Sequence, residues 1–277
     1  MGLADLHVHT SVSDGKYSPE AIVKKAAALG LKYLAICDHD SVDGIAPALE
    51  AAKKFPQLTV IPGVEISTLA VGSEVHMLGY FVDYNDFAFK KLLAELSDSR
   101  VGRAQAMVAK LNELGIDIQW ARVQELAGDG TIGRPHIANA MLEKGYVSTF
   151  KEAFDKYIAQ GGPAYEERSK ITPAEAVGII IQARGLPVLA HPFTIIEPEL
   201  LIKELKEAGL VGIEVYYDNY SPDERKALAE IAAKYGLIAA GGSDYHGIDE
   251  AAETLLGESG TPLEAAEQLI ALAGRTG

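Results

Sequence analysis

The chain has 277 residues, 48% of them hydrophobic and 23% charged, with a formal net charge of −14. That length accommodates one α/β barrel of about 200–250 residues with a modest insertion, or two small domains, and a core of this size needs no disulfide staples. The acid excess excludes a broad electrostatic grip on long duplex nucleic acid, the lone Cys37 excludes an intrachain disulfide, and no apolar run reaches the roughly 18–20 residues of a membrane span.

From the N-terminus, residues 3–8 read as a strand that begins almost at once, with no signal-peptide pattern before it. Together with the single cysteine, this makes a reducing cytoplasm the expected compartment. Ser18 and Pro19 start a helix that Gly30 stops, followed by a short apolar strand over 33–37. A helix over 44–55 and strands over 58–62 and 74–82 come next. This alternation predicts a parallel sheet covered by helices. From about 85 to 168 the periodicity is helical, over 87–114, 120–127, 135–144 and 149–159, and reads as an insertion. Alternation then resumes. Thr172, Pro173 and Glu175 form a capping box with Pro at N1 for a helix to residue 184. Strands over 186–190, 212–216 and 237–240 follow, with helices over 200–208 and 221–235 between them and a closing helix over 262–273.

Six of the seven histidines, His7, His9, His39, His76, His191 and His246, fall at or just beyond the C-terminal ends of predicted strands. That edge is where α/β barrels build active sites. His7 and His9 are two apart on a strand and so share a face, and Asp244 and His246 repeat the spacing after the last strand. Glu65 interrupts an apolar stretch, and a Glu there needs a partner, which two shared cations would supply. Asp14 is either a turn-former or a ligand. Asp38 and Asp40 flank His39 as ligands or, as favoured here, as acceptors that orient imidazoles. A set of imidazoles and carboxylates without thiolate suits Mn²⁺, Fe²⁺ or Zn²⁺, and bound cations would reverse the local sign for an anionic substrate.

The segments Asp5-Leu6-His7-Val8-His9, Ser13-Asp14-Gly15, Asp38-His39-Asp40, Pro62-Gly63-Val64-Glu65, Ala190-His191-Pro192 and Gly242-Ser243-Asp244-Tyr245-His246 together resemble the PHP (polymerase and histidinol phosphatase) family. The resemblance implies an α/β fold, a distorted (β/α)7 TIM-like barrel with three divalent metal ions. Here the barrel would comprise residues 1–85 and 169–277 and carry a helical insertion domain over 86–168. It implies one metal on His7, His9, Glu65 and Asp244, a second sharing Glu65 and taking His76 and His191, and a third on Asp14, His39 and His246. Asp14, Glu65, His191 and Asp244 would form the chemical centre. Gly133-Arg134-Pro135-His136-Ile137-Ala138 and Gly161-Gly162-Pro163-Ala164-Tyr165 resemble the bacterial branch with a helical insertion. That branch implies release of phosphate from 3′,5′-bisphosphonucleotides such as pAp and trimming of short oligonucleotides from the 5′ end.

The expected chemistry is in-line attack on phosphorus by a hydroxide held between metals. No Gly-X-Ser-X-Gly elbow or phosphate-binding loop offers another route. Arg134, His136 and Lys170 are the candidate substrate-binding residues. Arg134 stands against an alternative as a surface helix cap, His136 as a capping or packing histidine, and Lys170 as a solvated side chain. Arg100 and Arg103, on a long helix, either face the pocket or, as favoured here, carry solvated charge, while Tyr216 and Tyr217 either stack on a base or pack. The expected partner is a phosphorylated small molecule or short oligonucleotide, with no membrane. Competing functions are a histidinol-phosphate phosphatase, C–N hydrolysis (whose carbamylated Lys pattern is not seen) and a structural module without metals.

Overall fold

The computed structural model describes residues 4–70, 73–128, 130–167, 171–195, 197–217, 220–248 and 254–276. Seven strands form one sheet in chain order: β1 (Ala4–Val8), β2 (Tyr33–Ile36), β3 (Thr59–Ala70), β4 (Ser73–Tyr80), β5 (Leu186–Leu189), β6 (Gly212–Tyr217) and β7 (Ile238–Gly242). The helices between them are α1 (Pro19–Ala28), α2 (Ile45–Ala52), α7 (Pro173–Gln182), α8 (Pro198–Ala208) and α9 (Pro222–Tyr235), with α10 (Leu263–Thr276) closing the chain. Three of them start as the sequence dictates. Ser18, Thr172 and Ser221 each accept a backbone N–H through the side-chain oxygen, and each precedes a Pro at the first helical turn.

The sheet departs from the expected all-parallel arrangement at β4, which is antiparallel to both β3 and β5. The cause is covalent. Only two residues separate β3 from β4, and a connection that short reverses the chain, whereas a parallel crossover needs a dozen or more residues. β3 is also longer than the apolar run 58–62 suggests and continues through Glu65 to Ala70. Its second half pairs with β4, so polar residues such as Ser67 and Thr68 stay in the ladder.

β1 and β7 meet at their carboxyl ends, which nearly closes the sheet into a barrel. The Asp244 N–H donates to the His7 carbonyl at 2.9 Å and the His9 N–H to the Tyr245 carbonyl at 3.0 Å. Contact this close demands Gly242, because a Cβ there would lie 2.3 Å from the His7 Cβ. Asp5 fastens the same seam by accepting from the Ser243 N–H and hydroxyl at 2.9 and 2.6 Å and from the Gly257 N–H at 2.8 Å.

Between β4 and α7 lie α3 (Phe87–Glu113), α4 (Trp120–Ala127), α5 (Arg134–Glu143) and α6 (Phe150–Ala153), the last running into a π turn at Phe154–Ile158. The four helical periods of the sequence thus become helices. They enclose an apolar cluster of their own, drawn from Ala104 to Ala164 and including Met107, Leu111, Ile137 and Met141. Gly130 binds this segment to the barrel, since a Cβ there would lie 2.5 Å from the Ser13 carbonyl oxygen and the next N–H, of Thr131, donates to Val12 at 3.0 Å. No helix among the described residues is long and apolar enough to cross a membrane.

Candidate metal centre

The ends of four strands, with residues from within β3 and β4, deliver imidazoles and carboxylates to one buried point. β1 contributes His7 and, just beyond it, His9, both fully buried. The loop after β1 supplies Asp14 and the end of β2 supplies His39. His191 follows β5, and Asp244 and His246 follow β7. His76 differs from expectation by lying within β4, opposite Ser67; it reaches the cluster because β4 runs against its neighbours. His191 and Asp244 hold left-handed backbone conformations, φ 30 and 55°, which non-glycine residues keep only where the surroundings impose them.

Glu65 stands at the middle. Its Oε1 is 2.8 Å from His76 Nδ1 and 3.3 Å from His191 Nε2. Its Oε2 is 2.9 Å from His39 Nδ1, 3.3 Å from His9 Nε2 and 3.4 Å from His7 Nε2. Asp244 Oδ1 lies 3.0 Å from His9 Nε2 and 3.4 Å from His7 Nε2, and Asp14 Oδ1 lies 3.3 Å from His246 Nε2. Burial raises the cost of charge on Glu65 and Asp14, yet the surrounding imidazoles outweigh it and hold both carboxyls well below the usual range. Burial likewise opposes charge on His76 and His246. Glu65 and Glu74 nevertheless push His76 up to about 9, and Asp14 and Asp244 push His246 up to about 10. For His39, burial, with the nearby Arg100 charge adding to it, prevails over Glu65 and Asp14 and pulls the ring down to about 4.

Four buried atoms in this cluster, His9 Nδ1, Asp14 Oδ1, His39 Nδ1 and Glu65 Oε2, make no well-aligned hydrogen bond among the described residues, although Glu65 Oε2 and His39 Nδ1 lie 2.9 Å apart and Asp14 Oδ1 lies 3.3 Å from His246 Nε2. Leaving a buried polar group unsatisfied costs about 1–3 kcal/mol, and all four are metal-ligating atom types. Three sets bring one donor atom per residue within 4.8 Å of each other: His7, His9, Glu65 and Asp244; His9, Asp14, His39 and His246; and His39, Glu65 and His76. The residues therefore fit divalent cations. The sets group differently from the resemblance in two places. His9 joins the Asp14 set, and His39 stands with Glu65 and His76 where His191 is expected. His191 lies beside that set, its ring 5.0 Å from that of His76.

Sequence reading missed one residue outright. Glu214, fully buried on β6, places Oε1 3.1 Å from His7 Nδ1 and accepts the His191 N–H on Oε2 at 2.8 Å. The signal was present: a Glu inside the apolar strand Gly-Ile-Glu-Val-Tyr is the same sign that singles out Glu65. Of the two acids beside His39, Asp38 accepts from Thr10 N–H, Thr10 Oγ1 and Ser13 Oγ and so shapes the loop bearing Asp14. Asp40 accepts from the Arg100 Nε at 2.6 Å and the Ser67 N–H at 3.2 Å. Orienting His7 falls to Glu214.

A cavity of about 260 Å³ opens onto the cluster, lined by Asp14, His39, His76, Asp244 and His246 and by Arg100, Arg103, Arg134 and Glu74. For Arg100 and Arg103 the favoured reading, solvated charge, gives way to the alternative, a place on the pocket. Arg100 is buried and bound to Asp40 and to Ser67 Oγ, and Arg103 bonds the Glu166 carbonyl and lies 3.3 Å from Glu74. Carboxylates on the strands draw these guanidinium groups inward. Arg134 begins α5 and meets Glu74 at 2.9 Å. His136 accepts the Gly133 N–H on Nδ1 at 3.0 Å, the capping role, and lines a neighbouring groove. Lys170 lies outside the described residues. Tyr217 donates its hydroxyl to Asp244 Oδ2 at 3.0 Å and Tyr216 packs on the core.

The PHP domain profile matches residues 5–160. The chain is 36% identical to the 5'-3' exoribonuclease Rnm of Escherichia coli over 247 residues, 87% of this chain and 84% of that one. It is 33% identical to the 3',5'-nucleoside bisphosphate phosphatase of Chromobacterium violaceum over 258 residues, 89% of this chain and 88% of that one. A solved protein of Bifidobacterium adolescentis, assigned as a metal-dependent phosphoesterase, superposes with a TM-score of 0.88 at 30% identity over 97% of this chain and 95% of the other.

Proposed function

The chain belongs to the PHP domain family, and on that premise we propose that it is a metal-dependent phosphoesterase acting on nucleotides. Its substrates are 3′,5′-bisphosphonucleotides such as pAp and the 5′ ends of short oligonucleotides. The carrying observation is the cluster of converging imidazoles and carboxylates, four of whose buried ligating atoms make no well-aligned hydrogen bond, beneath a cavity that three guanidinium groups help to line. The relatives named an exoribonuclease and a bisphosphate phosphatase support the nucleotide class.

His7, His9, Glu65 and Asp244 would hold one cation, Asp14, His39 and His246 a second, and His76 and His191 a third, with Glu65 shared. Divalent cations, whether Mn²⁺, Fe²⁺ or Zn²⁺, supply a lowered pKa for water and neutralise charge on phosphoryl oxygens. Asp14 and Asp244 are the cluster carboxylates that line the cavity, and as ionised groups they would accept hydrogen bonds that orient a water there. Arg134, at the N-terminal end of α5, pairs with a substrate phosphate at the cost of its contact with Glu74. Asp40 holds Arg100 as a fixed wall. In this reading residues 86–168 form an insertion domain whose arginines complete a site built by the barrel of 1–85 and 169–277, in a cytoplasmic enzyme.

A phosphate-release screen tests the proposal, run over pAp, mononucleotides, 5′-phosphorylated oligomers and histidinol phosphate with each of the three metals. Release from the nucleotides that chelation abolishes is expected. A preference for histidinol phosphate, or turnover indifferent to chelation, contradicts it.

A further inference from the structure

A second cavity, of about 700 Å³, lies behind the N-terminal turn of α5. Asp14 lines both it and the smaller cavity over the cluster, so the two spaces adjoin at a candidate ligand, with the first turn of α5 contributing residues to each. Its far side is made by Asn139 of α5, Leu126 of α4 and Phe150 of α6, and its rim by Lys16. The rim is fixed to the site: the Lys16 N–H donates to the His246 carbonyl at 2.7 Å. Asn139 and Phe150 are half-buried and line the groove, the Phe150 ring resting against Phe154 and the apolar cluster behind it.

We propose that this groove takes the single-stranded continuation of an oligonucleotide whose reacting phosphate lies at the imidazole–carboxylate cluster. The inference rests on the nucleotide phosphoesterase reading and adds to it where the remainder of a polymeric substrate goes. Its size suits a ligand that fills a pocket of about 300–1,000 Å³. Its chemistry suits bases better than a run of phosphates. Among the described residues Lys16 is the sole lysine or arginine lining the groove, and of its three carboxylates Asp14 belongs to the cluster while Glu125 and Glu143 are both held by Arg122, at 2.8 and 2.7 Å. Phe150 offers a stacking face, which every base can use, and the Asn139 amide offers one donor and one acceptor to a base edge. A duplex, whose bases are already stacked and paired, presents neither surface. One cation along the track also means that binding of the strand loses little with salt, since each phosphate contact on a single strand contributes a slope of only about −0.7 in log K against log salt.

The test compares the loaded wild-type enzyme with Asn139→Trp, which fills the groove, and Phe150→Leu, which keeps apolar volume but removes the stacking face. The substrates are pAp, as the mononucleotide, and a 5′-phosphorylated single-stranded pentanucleotide, as RNA and as DNA. For both variants kcat/KM on the mononucleotide is expected within about twofold of wild type. On the pentanucleotide of whichever sugar the wild type cleaves, it should fall about tenfold, as loss of one base stack gives. Equal losses on both substrates for Phe150→Leu, or no loss on either, overturn the groove. So does a wild type that cleaves mononucleotides and neither pentanucleotide. A wild type inactive on every nucleotide instead overturns the underlying reading of the site. If Asn139→Trp loses mononucleotide activity through misfolding, Phe150→Leu decides.

Discussion

Glu214 ties two candidate ligands from opposite parts of the chain to each other, with one oxygen 3.1 Å from His7 Nδ1 and the other accepting the His191 N–H at 2.8 Å. The first contact fixes which His7 nitrogen is left to face Glu65 and Asp244, and the second holds His191 in its left-handed conformation. Carboxylates behind ligating imidazoles raise their basicity, and removing one costs about 10–100-fold in metal affinity. Glu214→Gln keeps the shape and removes the charge. Its metal affinity, measured by competition with a chelator, is expected to fall within that range, and an unchanged affinity would count against the role.

In the cation-free protein, His76 and His246 carry protons at neutral pH, since their neighbouring carboxylates hold them at about 9 and about 10 despite burial. Imidazoles bind metals only when neutral. Metal uptake at pH 7.5 therefore releases their protons, and affinity climbs as pH rises toward 9–10. Titration calorimetry in buffers of different ionisation enthalpy reads the proton count directly. A binding enthalpy independent of buffer would refute the assignment.

Tyr217 donates to Asp244 Oδ2 at 3.0 Å, leaving Oδ1 toward His9 and His7. A hydrogen bond to a charged group contributes about 1.5–3 kcal/mol. Tyr217→Phe should therefore lower kcat/KM by about tenfold or more while the chain remains folded by circular dichroism. Full activity would show that Asp244 holds its orientation without the phenol.

Arg100 and Arg134 line the same cavity and should behave oppositely. Arg100→Ala strands the fully buried Asp40 without its guanidinium, and breaking a buried pair costs about 3–5 kcal/mol. The loss should appear in urea unfolding. Arg134 is 22% exposed and turns toward the cavity, so Arg134→Ala should raise KM about tenfold or more with a small change in stability. The reverse pattern would exchange their roles.

Much of the site was legible because spacing on a strand fixes direction. His7 and His9 could be placed on one face from period two at a strand end, whereas Asp244 and His246 lie past the end of β7, with Asp244 left-handed, so that for them the strand end rather than the period gave the edge. Helix starts at Ser18, Thr172 and Ser221 were equally readable, since a cap and a Pro are local chemistry. The direction of β4 was not, because periodicity is the same for either sense and only the two-residue connection decides it. Arg100 was assigned to solvent because its helix gives no sign that Asp40, sixty positions earlier, awaits it. Glu214 was passed over although its apolar setting matched that of Glu65.

The central claim is that Glu65 is shared by the bound cations, and one measurement addresses it most directly: metal content and phosphate release of Glu65→Ala beside wild type. The wild type is expected to carry divalent cations and to lose phosphate release on chelation, and the variant to lose bound metal and turnover together. A Glu65→Ala protein with near-wild-type metal content and turnover would contradict the account.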